Sequence, residues 1–189
     1  MRFKRKTGFI FVLCMLPLLL FSYVVSSEDR KTEIGHKIPP QLEESWKREI
    51  MTITLELKEA ILKRDVQQLL KHIDREGMSC TDERVPYAEI KRDLNDKNSK
   101  LYLSLFETER FVKECGNEYD EEYPPISERE LFMKAKDLQI DISPIESDWT
   151  VATISSSVKQ HYPRRWFFHR TKGKWKLGDG FILRCSCGG

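Results

Sequence analysis

The stretch RRWFFHRTKGKWKL, residues 164–177, decides the fold of this chain. Its aromatic-rich and basic halves flank Thr171-Lys172-Gly173, a composition typical of a tight turn between two antiparallel strands. Side chains two residues apart share one face of a strand, so Trp166 and Phe168 fall on one face and His169 on the other. The stretch predicts a β-hairpin with an aromatic face.

The segments on either side of this hairpin have the same period of two. Leu138, Ile140 and Ile142 alternate with polar residues, and residues 149–158 (WTVATISSSV) are rich in β-branched side chains. Residues 178–180 (GDG) predict a bulge or bend, and a last strand is expected from Phe181. The second half of the chain therefore predicts an antiparallel sheet.

The first half has a helical period instead. Asp65 in the Lys63-Arg64-Asp65 break predicts the start of a second helix, with Gln68 in the capping-box position and Gly77 as the expected stop. Before that break, apolar residues recur at steps of three or four, which predicts one long amphipathic helix. The residues of this stripe are Leu42, Trp46, Ile50, Ile53, Leu57 and Ile61.

Two shorter helices and one ambiguous segment follow. Pro86 predicts the start of a third helix, and Ser127 with Glu130 has capping-box spacing, with Ile126 and Leu131 as the matching hydrophobic staple, for a helix that we expect to reach Lys136. Residues 101–106 (LYLSLF) alternate and predict a strand or a buried turn. Helices precede strands, so we predict an α+β domain in which N-terminal amphipathic helices pack on a curved antiparallel sheet.

This layout resembles the nuclear transport factor 2-like, or cystatin-like, cone superfamily, and uncharacterised exported bacterial proteins that share it. Two motifs carry the resemblance, which covers residues 42–183: the helix break Lys63-Arg64-Asp65 and the strand Gly173-Lys174-Trp175-Lys176-Leu177. The resemblance implies a cone-like pocket between the long helix and a bent sheet. Some members are ketosteroid isomerases or polyketide cyclases that use a pocket Asp, Tyr or His, and others are binding or dimerisation modules.

The first 27 residues predict export. MRFKRK carries four cations and no acid, an apolar run covers residues 8–25, and Ser26-Ser27 follows. We expect a signal peptide or N-terminal anchor over residues 1–27, a linker over 28–41 and a single α+β domain over 42–189. The protein is then periplasmic or extracellular, with membrane contact only through residues 8–25 if they are retained.

The charge balance disfavours nucleic-acid binding. Four of the 32 basic residues lie in the first 27, so the remaining chain has 28 basic against 30 acidic residues. The one basic stretch lies in the predicted hairpin, where we expect it to form a cationic outer face. Its residues are Arg164, Arg165, Arg170, Lys172, Lys174 and Lys176.

Four cysteines follow the N-terminal segment, namely Cys80, Cys115, Cys185 and Cys187. An even number in an exported protein predicts disulfides. A bond between the last two is strained on a strand, which leaves Cys80 and Cys115 joined to the tail in either order. Free thiols and a four-thiolate zinc site are the alternatives. The usual zinc spacing is absent, so we predict no metal and no cofactor.

No reactive constellation is visible in the sequence. The catalytic candidates are Asp141, which would line the cone if the strand register were reversed, and His161. The candidates for a ligand pocket are Trp149, Trp166 and Phe168, which also suit a simple core. We expect a non-enzymatic domain that binds a small apolar ligand, an envelope or extracellular protein, or a second copy of itself. The alternative is a cone-fold isomerase, dehydratase or hydrolase using a pocket Asp or His.

Overall fold

The computed structural model describes residues 38–80, 83–115, 126–156 and 163–180, except for the side chains of Cys80 and Cys115. Within these ranges, helices come first and a sheet follows. The helices are α1 (Pro40–Lys63), α2 (Val66–His72), α3 (Tyr87–Asn95), α4 (Lys100–Phe106), α5 (Thr108–Cys115) and α6 (Glu128–Lys134). The strands are β1 (Met78–Cys80), β2 (Glu83–Val85), β3 (Leu138–Glu146), β4 (Trp149–Ser156), β5 (Arg164–Thr171) and β6 (Lys174–Asp179).

The break between the first two helices has the predicted chemistry. α1 ends at Lys63, and the next residue, Arg64, has a left-handed φ of 58° and a backbone N–H that donates to the carbonyls of Ala60 and Ile61. The side chain of Asp65 then accepts a hydrogen bond from the backbone N–H of Gln68 at 2.9 Å, which caps α2. The buried stripe of α1 begins at Trp46, because Leu42 in the first turn is 41% exposed.

Three helix predictions need correction. α2 ends at His72 rather than near Gly77, because Ile73 leaves the helix to pair in parallel with Leu177 of the sheet. Residues 101–106 form helix α4, which is buried on every side, so its apolar run carries no helical period. The helix that Ser127 caps ends at Lys134, two residues before the predicted end.

The sheet confirms the α+β prediction. Its strands lie in the order β3-β4-β5-β6 and each neighbouring pair is antiparallel. Lys172 and Gly173 form a two-residue hairpin turn, with φ values of 51° and 75°. Gly178 is the extra residue of a bulge, since Phe167 pairs with Asp179 and Phe168 with Leu177. A second irregularity lies between Pro144 and Glu146, and such bulges curve a sheet.

The period of two gives the sheet two distinct faces. The inner face packs against α1 in the hydrophobic core, and its buried residues are Ile142, Thr150, Ala152, Ile154, Trp166, Phe168, Trp175 and Leu177. The outer face carries the alternate residues, which are half-buried or exposed. They include Asp141, Glu146, Trp149, Val151, Phe167, His169, Lys176 and Asp179.

The prediction that the whole basic stretch forms a cationic outer face is wrong. Arg164 and Arg170 have the same parity as Trp166 and therefore lie on the inner side. The guanidinium of Arg170 lies over the rings of Trp46 and Trp175, 5.3 and 5.9 Å from their centroids. The aromatic residues of the core thus accommodate a cation at one end of the sheet.

Several predictions fall outside the described residues. These are the N-terminal segment, most of the linker, the strand from Phe181, His161 and the tail cysteines. The disulfide pairings and the division into domains therefore stay predictions. No helix in the described ranges has both the length and the apolar composition to cross a membrane.

Candidate functional site

Side chains of the domain itself occupy the space between α1 and the sheet. Trp46, Trp166, Phe168 and Trp175 are each at most 3% exposed. The rings of Trp46 and Trp175 meet edge to face with centroids 5.6 Å apart, and those of Phe132 and Trp166 do so at 5.8 Å. The described part of the interior is therefore a packed aromatic core, and Trp166 and Phe168 belong to it.

A buried ion pair joins α6 to β5. Glu128 is 1% exposed, and its Oε1 lies 2.6 Å from Nε of Arg164. A second guanidinium nitrogen of Arg164 donates to the carbonyl of Ile126 at 3.3 Å. Burial raises the pKa of Glu128, and the nearby Arg164 acts against this rise. The pair ties α6 to β5, so we interpret it as a structural clamp.

An aromatic and histidine cluster lies on the other side of the sheet. Trp149 meets His169 edge to face with ring centroids 3.8 Å apart, and Phe167 at 6.2 Å. All three side chains are half-buried and belong to the outer face. The sheet therefore separates Trp149 from Trp166 and Phe168, so the three predicted ligand-pocket residues do not line one site. We call Trp149, Val151, Phe167 and His169 the outer patch.

His169 packs directly on the bulge. A Cβ at Gly178 would lie 2.2 Å from Cδ2 of the His169 ring, so only glycine permits this approach. Burial is the main cause that lowers the pKa of His169; Arg84 acts in the same direction, while Asp74, Asp148 and Asp179 oppose it. Burial thus favours the uncharged imidazole in the outer patch.

The acid beside this histidine is also shifted towards its neutral form. Burial raises the pKa of Asp179, while the backbone N–H of Gly180, which donates to its Oδ1 at 2.5 Å, and His169 oppose the rise. Burial thus acts against the charged forms of both His169 and Asp179 beside the aromatic side chains.

Asp141 is exposed on the outer face, and its Oδ2 accepts a hydrogen bond from the hydroxyl of Ser143 at 3.0 Å. It therefore does not line the interior. Asp141 and Ile142 instead border a groove of about 540 Å³ between β3 and the flank of α1. The residues that α1 contributes to this groove are Lys47, Arg48, Met51 and Thr52.

Sequence reasoning missed two buried acids. Glu128 follows the cap Ser127 and so has the usual position of a solvated first-turn acid. Asp74 is 2% exposed, and it accepts hydrogen bonds from the backbone N–H of Glu76 and from the hydroxyl of Thr171. The first of these is a local turn that a short polar segment ending in glycine could have indicated. The second joins residues far apart in sequence, so no local pattern predicts it.

Among the described residues, no three His, Cys, Asp or Glu side chains come together in a way that could hold a metal ion. No protein-family model matches the chain, and no curated protein is similar to it in sequence.

One similar solved structure, from Streptomyces avermitilis, is described as "a putative dehydratase from the NTF2-like family". It is 12% identical to this chain, covers 72% of it and 93% of its own length, and has a TM-score of 0.34. Its family is the one that the sequence resembles, but a likeness this low does not bear on activity. The α+β layout rests on the described helices and strands themselves.

Proposed function

We propose that this chain is exported and acts outside the cytosol as a non-enzymatic domain that binds protein through the outer face of its sheet. The contrast between the two faces carries this proposal. A domain that transforms or carries a small apolar molecule needs a lined cavity, whereas here Trp166 and its neighbours fill the described interior. Aromatic side chains on an accessible face favour protein contact. The cations and apolar run of residues 1–27 support export.

The charges around the outer patch favour a second copy of the chain as the partner. Four outer-face residues lie in register across the sheet: Glu146 pairs with Trp149, Trp149 with His169, and His169 with Lys176. This row runs from an acid at the β3 edge to a base at the β6 edge. In the neighbouring row Val151 pairs with Phe167, which gives the face an apolar centre.

A two-fold axis parallel to the strands makes this row complementary to itself. With the axis between β4 and β5, Glu146 of one copy faces Lys176 of the other, and Val151 faces Phe167. An axis across the strands would instead place the acids of β3 opposite one another, Glu146 against Asp141. Packed sheets lie about 10 Å apart, a distance that long charged side chains span at the rim. Charge complementarity therefore selects the first arrangement.

Sedimentation equilibrium of the exported protein tests this pairing. We expect a dimer that Glu146→Lys weakens by about tenfold or more, because the new lysine faces the basic edge of the second copy. Lys174→Glu, at an exposed position on the same basic edge, should weaken it similarly. The double variant should restore most of the affinity. Glu109→Lys on α5 makes the same charge change away from the sheet and should have no effect.

A monomer at every concentration, or a double variant no better than the singles, would refute the self-pairing. Export has a separate test, which is the intact mass of the protein recovered from an export-competent host, alkylated with and without prior reduction. Loss of residues 1–27 supports a cleaved signal, and a full-length chain in the membrane fraction supports an anchor. A full-length chain in the cytosolic fraction would contradict export.

A further inference from the structure

α1 begins at the end of the sheet that carries the turn between β5 and β6. The ring of Trp46, in the second turn of α1, meets Trp175 at 5.6 Å and has the guanidinium of Arg170 over it at 5.3 Å. Both partners lie beside the β5–β6 turn. Pro40, the first residue of α1, is about 9 Å from Trp46 along the helix axis. The chain therefore enters the domain at this end, which we call the hairpin end.

Four exposed cations cluster at the hairpin end. Lys172 lies in the turn and Lys174 directly after it. Lys71 and Arg75 lie beside β6, because residues 73 and 74 pair with that strand. No ion pair joins any of the four to an acid in the described ranges. We call these four residues the cationic patch.

A fifth cation, Lys176, shows how close these charges lie to one another. Its ammonium donates to the carbonyl of Lys71 at 2.5 Å. Burial is the main cause that lowers the pKa of Lys176; Lys174 and Arg75 lower it further, while Asp74 opposes them. The cations therefore repel one another, and an anionic surface beside them would relieve this repulsion.

The acids of the hairpin end are either engaged or displaced from the patch. Asp74 is 2% exposed and hydrogen-bonded, and Glu76 lies 3.7 Å from Arg84. Glu146 and Asp148 flank the β3–β4 turn, which lies at the same end, but β4 is two strands or about 10 Å away from β6. The patch thus keeps a local positive charge, although the chain after residue 27 has more acids than bases.

The chain that leads into the hairpin end favours a lipid bilayer as the anionic partner. Residues 8–25 form the apolar run that predicts membrane contact, and residues 26–37 connect it to Ile38, where the described chain begins. An extended chain of that length spans at most about 40 Å, so a membrane that holds the apolar run is within reach of this end. Leu42 and Ile145, which are 41% and 51% exposed, lie here too and suit the border between lipid headgroups and acyl chains.

We propose that the cationic patch docks the hairpin end of the domain onto the anionic headgroups of a phospholipid bilayer. Lys71, Arg75, Lys172 and Lys174 contact the lipid phosphates. This docking rests on the membrane delivery proposed for residues 1–27 and not on the self-pairing. The two are compatible, because the proposed two-fold axis runs along the strands and directs both hairpin ends to the same side.

Acetylation by a neutral reagent, measured at each lysine by mass spectrometry, tests the docking on the full chain. With vesicles of phosphatidylcholine and about one third phosphatidylglycerol, Lys172 and Lys174 should react about threefold or more slowly than with phosphatidylcholine alone. Both vesicles can hold the apolar run, so the comparison isolates the headgroup charge. Lys113, exposed on α5, should react equally with both. Salt at about 1 M, which limits electrostatic attraction to about 3 Å, should remove the protection.

Paired variants test whether the patch itself is responsible. Lys71→Gln with Lys172→Gln should abolish the protection of Lys174. The matched control, Lys134→Gln with Lys136→Gln, removes the same charge near the opposite end of β5, where α6 packs, and should preserve the protection. The first double variant leaves the paired row of the outer face intact, so its dimer should be unchanged in sedimentation equilibrium.

Inorganic phosphate without vesicles distinguishes a bilayer from a small anion and should give no protection. Equal reaction rates with the two vesicle types would overturn the proposal. So would protection that persists in about 1 M salt or in Lys71→Gln with Lys172→Gln, or protection by phosphate alone. The vesicle measurement needs no exported protein, so its failure is distinct from a failure of export.

Discussion

The two faces of β5 differ in burial, although their side chains alternate along the same eight residues. Trp166 and Phe168 are fully buried in the hydrophobic core, while Phe167 and His169 lie half-buried on the other side with Trp149. The inner aromatic residues fill the space in which a cone fold could hold a ligand. The outer ones are half-buried on the opposite side of the sheet. Aromatic content alone therefore does not indicate a pocket, because the face decides the role.

The two faces should differ most in how much a truncation to alanine lowers the free energy of unfolding. Trp166→Ala removes a side chain with no exposed surface and leaves a cavity, so we expect a loss of about 3–5 kcal/mol in the free energy of unfolding. Trp149→Ala on the outer face should cost about 1 kcal/mol, because that side chain is only partly buried. Urea denaturation measures both, and similar losses would contradict the assignment of the two faces.

Breaking the buried Glu128–Arg164 ion pair should lower the free energy of unfolding nearly as much as truncating a core side chain. Glu128→Ala leaves the guanidinium of Arg164 without its carboxylate, and we expect a loss of about 3 kcal/mol. The control is Glu59→Ala, which breaks an exposed pair with Lys63 on α1 and should leave the urea midpoint almost unchanged. If the two variants unfold at the same urea concentration, the Glu128–Arg164 pair does not hold α6 on the sheet.

A smaller effect should follow from filling the bulge. The Cβ in Gly178→Ala would meet the His169 ring, so the ring must shift and its packing on Trp149 must change. We expect a cost of about 1–3 kcal/mol from overpacking, together with weaker self-association. The imidazole resonances of His169 report the displacement directly. Unchanged resonances and an unchanged dimer would show that this contact does not shape the outer patch.

The smallest expected effect is a pH dependence that arises on the outer face. Because burial lowers the pKa of folded His169 below 6.5, the unfolded chain binds more protons between that lowered pKa and 6.5. Stability should therefore fall as the pH drops below 6.5, and His169→Gln should reduce this slope. His72, whose pKa burial also lowers, contributes in the same direction. Urea midpoints at several pH values measure the slope, and a steeper one in His169→Gln would contradict this account.

Local signals explain most of the fold that the sequence predicts correctly. Asp65 and Ser127 cap the helices that follow them because a cap needs only residues three apart. The turn at Lys172 and Gly173 follows equally from local chemistry. Residues 101–106 were not predictable in this way, since a helix buried on every side has no polar face to reveal its period.

The sites depend on contacts that no local pattern encodes. The aromatic residues at positions 149, 166 and 168 look alike in the sequence, and only the strand register separates Trp149 from the other two. The partner of Arg164 is a glutamate on α6, which is distant in sequence, so its burial as an ion pair could not be anticipated. The alternation that predicts the sheet does predict an outward Asp141, but not the groove that it borders.

The four tryptophans of the chain offer the most direct test, because three face inward and Trp149 faces outward. The indole N–H signals of isotope-labelled protein should be followed on dilution and on addition of a small apolar dye. We predict that dilution shifts only the Trp149 signal as the dimer dissociates, and that the dye leaves the signals of Trp46, Trp166 and Trp175 unchanged. Dye-induced shifts of these inner signals, with a Trp149 signal indifferent to dilution, would contradict binding through the outer face.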